Sequence, residues 1–182
     1  GNWVARGISA DKLIYWGESH DTWSNNQDYG YSNDMSQNVI DRAYAVAASR
    51  NQITALYFSR PSSKVKTDIM AGVKGSTHFT SKEVAEVNRF HNAMIGQKDS
   101  YAKSNNCSVV TREQGAVIVK GSGSGSVTVE NAGNLTKPGT YTDQVSGNKF
   151  TVTSNEIKGE IGSSGIAVIY NAKVIPRNTI SQ

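Results

Sequence analysis

Glu18-Ser19-His20-Asp21 places two carboxylates and an imidazole within four residues, directly after the apolar run Leu13-Ile14-Tyr15-Trp16. A carboxylate can stabilise a developing cation or hold a hydroxyl, and an imidazole can bond to a hydroxyl through either nitrogen. The group therefore suits a polyhydroxylated ligand, with Trp16, Trp23, Tyr29 and Tyr31 as stacking surfaces for sugar rings. From spacing alone a second reading stays open, in which Glu18, His20 and Asp21 cap the following loop and face water.

The elements that must position these residues are legible in the hydrophobic period. Leu13 to Trp16 reads as a buried strand entering a long polar loop, Gly17 through Asp34, and a parallel strand delivers side chains to the loop at its carboxyl end. Ser36 to Ser49 then puts Val39, Ile40, Ala43, Val46 and Ala47 on one helical stripe, with Asp34 or Ser36 as the cap. Ile53 to Phe58 is β-branched and aromatic and stops at Arg60-Pro61, so strand, helix, strand predicts a parallel pair with a right-handed crossover.

A second helix is predicted from Thr80, where Glu83 completes a capping box ahead of Val84, Val87, Phe90, Met94 and Ile95, with Gly96 as the stop. From Ser108 the period becomes two. Val109-Val110, Ala116 to Val119, Val127 to Val129, Phe150 to Val152 and Ile166 to Tyr170 read as short strands of an antiparallel sandwich. Gln97 to Asn106 is read as the junction, and Lys173 to Gln182 as a tail or linker.

Composition narrows the function classes. The 182 residues are 37% hydrophobic and 19% charged, with mean hydropathy −0.46. No apolar run approaches the roughly 20 residues of a membrane span, so no membrane partner is expected. The net charge of +4 comes from 19 Lys and Arg against 15 Asp and Glu, scattered without a basic block, so no nucleic acid is expected either. The start, Gly1-Asn2-Trp3, reads as cut or processed. Cys107 is read as a small apolar core residue, since it has no partner for a disulfide or zinc spacing.

His78 and His91 are read as surface residues and Arg60 as the partner of a carboxylate. Gly121-Ser122-Gly123-Ser124-Gly125 superficially resembles a phosphate-binding loop, but strands flank it, and a flexible hairpin connection is expected. Asn106-Cys107-Ser108 and Asn134-Leu135-Thr136 fit the glycosylation acceptor pattern, which chance often produces.

Tyr15-Trp16-Gly17-Glu18-Ser19-His20-Asp21-Thr22 resembles the motif at the seventh barrel strand of the α-amylase family of glycoside hydrolases. Ala55 to Pro61 resembles the eighth strand of bacterial members, and Val84 to Met94 the last barrel helix. Gly139 to Asp143, Gly147 to Phe150 and Ser164 to Tyr170 look like segments of the family's C-terminal domain. The resemblance runs in order from about Leu13 to Asn171.

The resemblance implies an α/β plus all-β chain: a partial (β/α)8 barrel, strands seven and eight with their helices, over 1–100, then an antiparallel Greek-key β-sandwich over 101–172, with a tail over 173–182. It implies the C-terminal part of an α-amylase hydrolysing internal α-1,4-glucosidic bonds with retention. Asp21 would be the transition-state-stabilising carboxylate and His20 a substrate-binding residue, with Trp16 and Trp23 beside them.

In the family the nucleophilic Asp follows the fourth strand and the Glu acid/base the fifth. Retention needs two carboxyl groups roughly 5 to 5.5 Å apart, and no motif of this sequence resembles the segments that carry them. Glu18 is not expected to substitute, since strand alternation puts it opposite Asp21. An N-terminal barrel segment is the implied partner and an α-glucan the implied substrate. No cofactor is expected in this chain, with calcium a property of the complete enzyme, and the location would be extracellular or at the cell surface. The alternative is a noncatalytic carbohydrate-binding or structural module, with Tyr141, Phe150 and Tyr170 of the sandwich as its aromatics.

Overall fold

The computed structural model describes residue 7 and residues 9–24 and 32–172. Tyr29, Tyr31 and the tail 173–182 lie outside the described residues. β1 (Ile14–Trp16), α1 (His20–Ser24), α2 (Gln37–Ala48) and β2 (Thr54–Leu56) come first in the chain. β1 and β2 pair in parallel, Ile14 opposite Thr54, Tyr15 opposite Ala55 and Trp16 opposite Leu56.

The stretch expected to be loop from Gly17 to Asp34 contains α1. Ser19 and Thr22, three residues apart, close its first turn on each other. The Ser19 N–H donates to Thr22 Oγ1 at 3.0 Å, and the Thr22 hydroxyl donates to the Ser19 carbonyl at 3.1 Å. Ser19 Oγ in turn accepts from the Thr22 N–H at 3.4 Å, so the two short hydroxyl side chains satisfy N–H groups that a helix start leaves unpaired.

α2 lies where the period places it, but rotated. Ile40, Asp41, Tyr44, Ala45 and Ala48 are buried, while Val39 is 45% exposed and Ala43 faces solvent. The correction is about one residue, or 100° of helix. The larger Tyr44 selects the buried face, packing edge-on against Tyr57 with ring centroids 5.1 Å apart.

α3 (Lys82–Ala93) is capped by position at Ser81. The expected Thr80–Glu83 capping box does not form, because Ser81 rather than Thr80 holds the N-cap position, and the Thr80 hydroxyl donates back to the Thr77 carbonyl at 2.7 Å. Val84, Val87, Phe90 and Met94 are fully buried, whereas Ile95 is exposed. The helix has ended at Ala93 and Gly96, with φ of +83°, turns the chain away.

Eight strands follow: β3 (Asp99–Ser104), β4 (Cys107–Arg112), β5 (Gly115–Lys120), β6 (Gly125–Glu130), β7 (Gly139–Thr142), β8 (Lys149–Val152), β9 (Glu156–Ile161) and β10 (Ile166–Tyr170). They form two four-stranded sheets, ordered β10-β5-β4-β3 and β6-β9-β8-β7, with antiparallel pairing throughout. β3 occupies part of the stretch read as junction. The Gly-Ser run at 121–125 is not a hairpin: it carries the chain from β5 in one sheet to β6 in the other.

Cys107, Ile118 and Ile169 of the first sheet share a core with Phe150, Ile157 and Ile161 of the second. The opposite face of the first sheet, through Val117, Val119, Ile166, Val168 and Tyr170, packs against Tyr44, Ala48, Val84, Phe90 and Met94 of the helical layer. β5 and β10 are therefore covered on both faces, which is why they read as continuous apolar runs. The chain is mostly β with few helices, and among the described residues no helix is long and apolar enough to cross a membrane.

Arg112, 1% exposed, fastens the layers. From β4 it donates to the carbonyls of Ser49, Met94, Gln97 and Lys98, at the carboxyl ends of α2 and α3 and the turn after α3. A cation there meets the negative ends of two helix dipoles as well as their unpaired carbonyls.

Candidate functional site

The carboxyl ends of β1 and β2 lie side by side, so Gly17 to Ser24 and Tyr57 to Ser63 form one rim. Glu18 turns inward there and is 3% exposed. The Arg60 Nε–H bridges its Oε1 at 3.0 Å and Oε2 at 2.9 Å. The Ser32 hydroxyl donates to the same Oε1 at 2.6 Å, and Arg60 Nη2 donates to the carbonyls of Ser32 and Met35. Both charges are thus met, as buried charges must be. The expected partnership of Arg60 with a carboxylate is present, and it holds Glu18 buried beneath the rim rather than on its open side.

Trp23, expected as a stacking surface, is 8% exposed. Its ring lies 4.3 Å from the Arg60 guanidinium carbon and 5.0 Å from Lys64 Nζ, and its indole N–H donates to the Ser63 carbonyl at 3.0 Å. The ring therefore serves cation–π packing under the rim rather than offering an open face.

His20 and Asp21 open α1. His20 Nε2 lies 3.2 Å from Asp21 Oδ1, and the two side chains are 63% and 66% exposed. The strand alternation used to oppose Glu18 and Asp21 ends at Trp16, since α1 begins at His20, and the His20 and Asp21 side chains lie together on the open side of the rim. Trp16 is 55% exposed and shares its face of the parallel pair with Ile14, Thr54 and Leu56, all exposed. Tyr15 and Ala55 occupy the other face, toward the helices, and burial raises the Tyr15 phenol pKa. The rim accordingly combines an accessible imidazole–carboxylate pair with an uncovered apolar floor.

A second polar cluster, which the sequence reading missed, lies behind this rim. Asp41 of α2 is 1% exposed. Its Oδ1 accepts from Tyr57 Oη at 2.9 Å and Gln37 Nε2 at 3.1 Å, while its Oδ2 lies 2.6 Å from His78 Nε2. Glu83 Oε1 is 3.9 Å from that same nitrogen. The Tyr57 pKa is raised far above the ordinary phenol value, first by burial and then by the Asp41 charge and hydrogen bond, so the hydroxyl remains a donor. His78 is therefore not a simple surface residue, nor is His91, whose Nδ1 lies 2.7 Å from the Ala48 carbonyl. The sequence carried no signal for the cluster, because the stripe read there left Asp41 outside it, and only the rotated face of α2 buries the residue.

The sandwich aromatics are inside the fold. Tyr141 is 8%, Phe150 0% and Tyr170 4% exposed, so none offers a flat ring to a sugar.

No protein-family model matches the chain. It is similar to an alpha-amylase of Clostridium acetobutylicum, 30% identical over 185 aligned residues, covering 97% of this chain and 22% of that protein. An alpha-amylase of Butyrivibrio fibrisolvens is 28% identical, covering 87% of this chain and 17% of its own length. The chain thus spans about a fifth of these relatives. Among solved structures, alpha-amylase I from Eisenia fetida matches with a TM-score of 0.61 at 14% identity, covering 92% of this chain and 43% of that one. The alpha-amylase from Malbranchea cinnamomea matches at 0.60 and 14%, covering 94% and 40%. Relatives named alpha-amylase cover nearly all of this sequence while it covers a small part of theirs, as for a C-terminal part of an α-amylase.

Proposed function

We propose that this chain is the C-terminal part of an α-amylase, supplying the last two strands and helices of a (β/α)8 barrel and a Greek-key sandwich to an enzyme that hydrolyses internal α-1,4-glucosidic bonds of starch-like glucans with retention. The observation that carries the proposal is the β1–β2 pair. Its helix-facing side is packed, its other side exposes Ile14, Trp16 and Leu56, and its carboxyl rim carries His20 and Asp21. Two parallel strands cannot close a barrel, and an uncovered apolar face next to a polar rim is what further strands of a barrel would cover. The strand order β6-β9-β8-β7, a meander β7-β8-β9 with β6 returning beside β9, supports the Greek-key reading.

In this reading the Asp21 carboxylate holds sugar hydroxyls and favours the distorted, positively charged transition state, while His20, 3.2 Å away, orients it and donates to a hydroxyl. Trp16 borders the ring-binding space, and Trp23 acts indirectly by seating Arg60. The nucleophile, the acid/base and any calcium ligands belong to the preceding barrel segment. Secretion to the cell surface or medium follows from the same reading.

The experiment is complementation with a separately expressed N-terminal barrel segment of a homologous α-amylase, followed by release of reducing sugar from soluble starch. Activity is expected only in the mixture. Asp21→Asn then lowers kcat by several powers of ten with little change in KM, since the lost interaction is made in the transition state. His20→Ala costs about 1 to 3 kcal/mol. Full turnover in the Asp21→Asn mixture removes Asp21 from the reaction, and hydrolysis by the chain alone refutes the division of labour.

A further inference from the structure

We infer that Asp41, His78 and Glu83 form a binding site for a divalent metal ion of the zinc class. Each offers one ligand atom, and these atoms lie within 4.8 Å of one another. Two carboxylates converge on one imidazole nitrogen, at 2.6 Å and 3.9 Å. That nitrogen can carry a single hydrogen, so a proton there can be shared fully with only one of them. A dication in its place bonds to all three ligands, and its charge matches two carboxylates with a neutral imidazole. In a tetrahedron around zinc, with bonds of about 2.0 to 2.2 Å, the Asp41 and His78 atoms would move apart from 2.6 Å and the Glu83 oxygen would close in from 3.9 Å.

The surroundings are those of a ligand site. Tyr57 and Gln37 hold the other Asp41 oxygen, fixing the carboxylate as outer hydrogen bonds fix metal ligands. The ligands come from three elements, the middle of α2, the short turn His78–Thr80 and the first turn of α3, so an ion would staple the segment after β2 onto both helices. Of the three ligands Glu83 also lines a cleft of about 430 Å³, with Asn38, Lys82, Ser146 and Ser163, so its carboxylate is within reach of solvent. One imidazole nitrogen with two carboxylate oxygens favours zinc-class ions over calcium or magnesium. The inference does not rest on the glycosidase reading, since none of the three ligands is on the β1–β2 rim.

The test is equilibrium titration of the untagged chain with zinc chloride at neutral pH, with calcium chloride in parallel. One zinc per chain is expected, bound at least ~100-fold more tightly than calcium. His78→Gln and Glu83→Gln should each weaken zinc binding more than ~10-fold, and Tyr57→Phe about 10-fold, with far-UV circular dichroism unchanged in the absence of zinc. Should His78→Gln fail to fold, Glu83→Gln, on the first turn of α3 and partly exposed, carries the test alone. Absence of stoichiometric zinc binding overturns the inference and leaves a plain imidazole–carboxylate hydrogen bond. So does binding that is unchanged by Glu83→Gln and is abolished by His20→Ala, which would place the ion on the exposed His20–Asp21 pair.

Discussion

Glu18 carries its charge on a side chain with 0% exposure, and Arg60 answers it from a side chain with 12%. Such a pair contributes little net stability over an apolar replacement, but removing one member leaves the other buried and unpaired. Glu18→Gln preserves size and can still accept from Ser32, yet leaves the Arg60 charge over Trp23 without its carboxylate. The expected loss is about 3 to 5 kcal/mol, read as a lower urea midpoint together with a change in tryptophan fluorescence. The sequence showed that Arg60 needed a carboxylate. It did not show which one, because the partner lies 42 residues away, and Glu18 itself was weighed as a site residue.

The elements divide by how locally they are encoded. α2, α3, β4, β5 and β10 follow from period and punctuation, since each carries a run of apolar residues long enough to be read. β9, with sequence EIKGEI, carries no such run. Ile157 and Ile161 point inward, and Gly159 sits at the inward position between them. A Cβ on Gly159 would come within 2.4 Å of the Phe150 ring, which is fully buried. The residue that looks like a break in a strand is therefore the space into which a neighbouring ring fits. Gly159→Ala should destabilise the fold by about 1 to 3 kcal/mol through overpacking, visible as a lower thermal midpoint, and Phe150→Leu in the same chain should recover part of it. A Gly159→Ala chain that melts like the parent would show that the ring is free to move.

At the scale of the molecule, the helical layer and the sandwich share the first sheet. A polypeptide of residues 99–172 would expose Val117, Val119, Ile166, Val168 and Tyr170, which the helices cover in the full chain. It should bind a hydrophobic dye and melt well below the full chain, whereas the full chain should unfold in one cooperative transition. Equal melting temperatures would mean that the helix contacts add nothing to the sandwich. The exposed side of β1 and β2 is the complementary case, an apolar face that no layer of the described residues covers.

The sequence by itself determined the conformation of each long apolar segment, the parallel pair, the order of helices and sandwich strands, and the His20–Asp21 motif with its family resemblance. Each is written in a local pattern, the parallel pair through the unbroken succession of strand, helix and strand. Tertiary structure alone decided that α2 buries Asp41, that Trp23 lies beneath Arg60 and Lys64, that His78 reaches across 37 residues to Asp41, and that the Gly-Ser run joins two sheets. The physical reason is that a hydrophobic period specifies a shape and an apolar side, whereas a polar partner is chosen only when distant segments are packed and each buried charge or donor must find a neighbour.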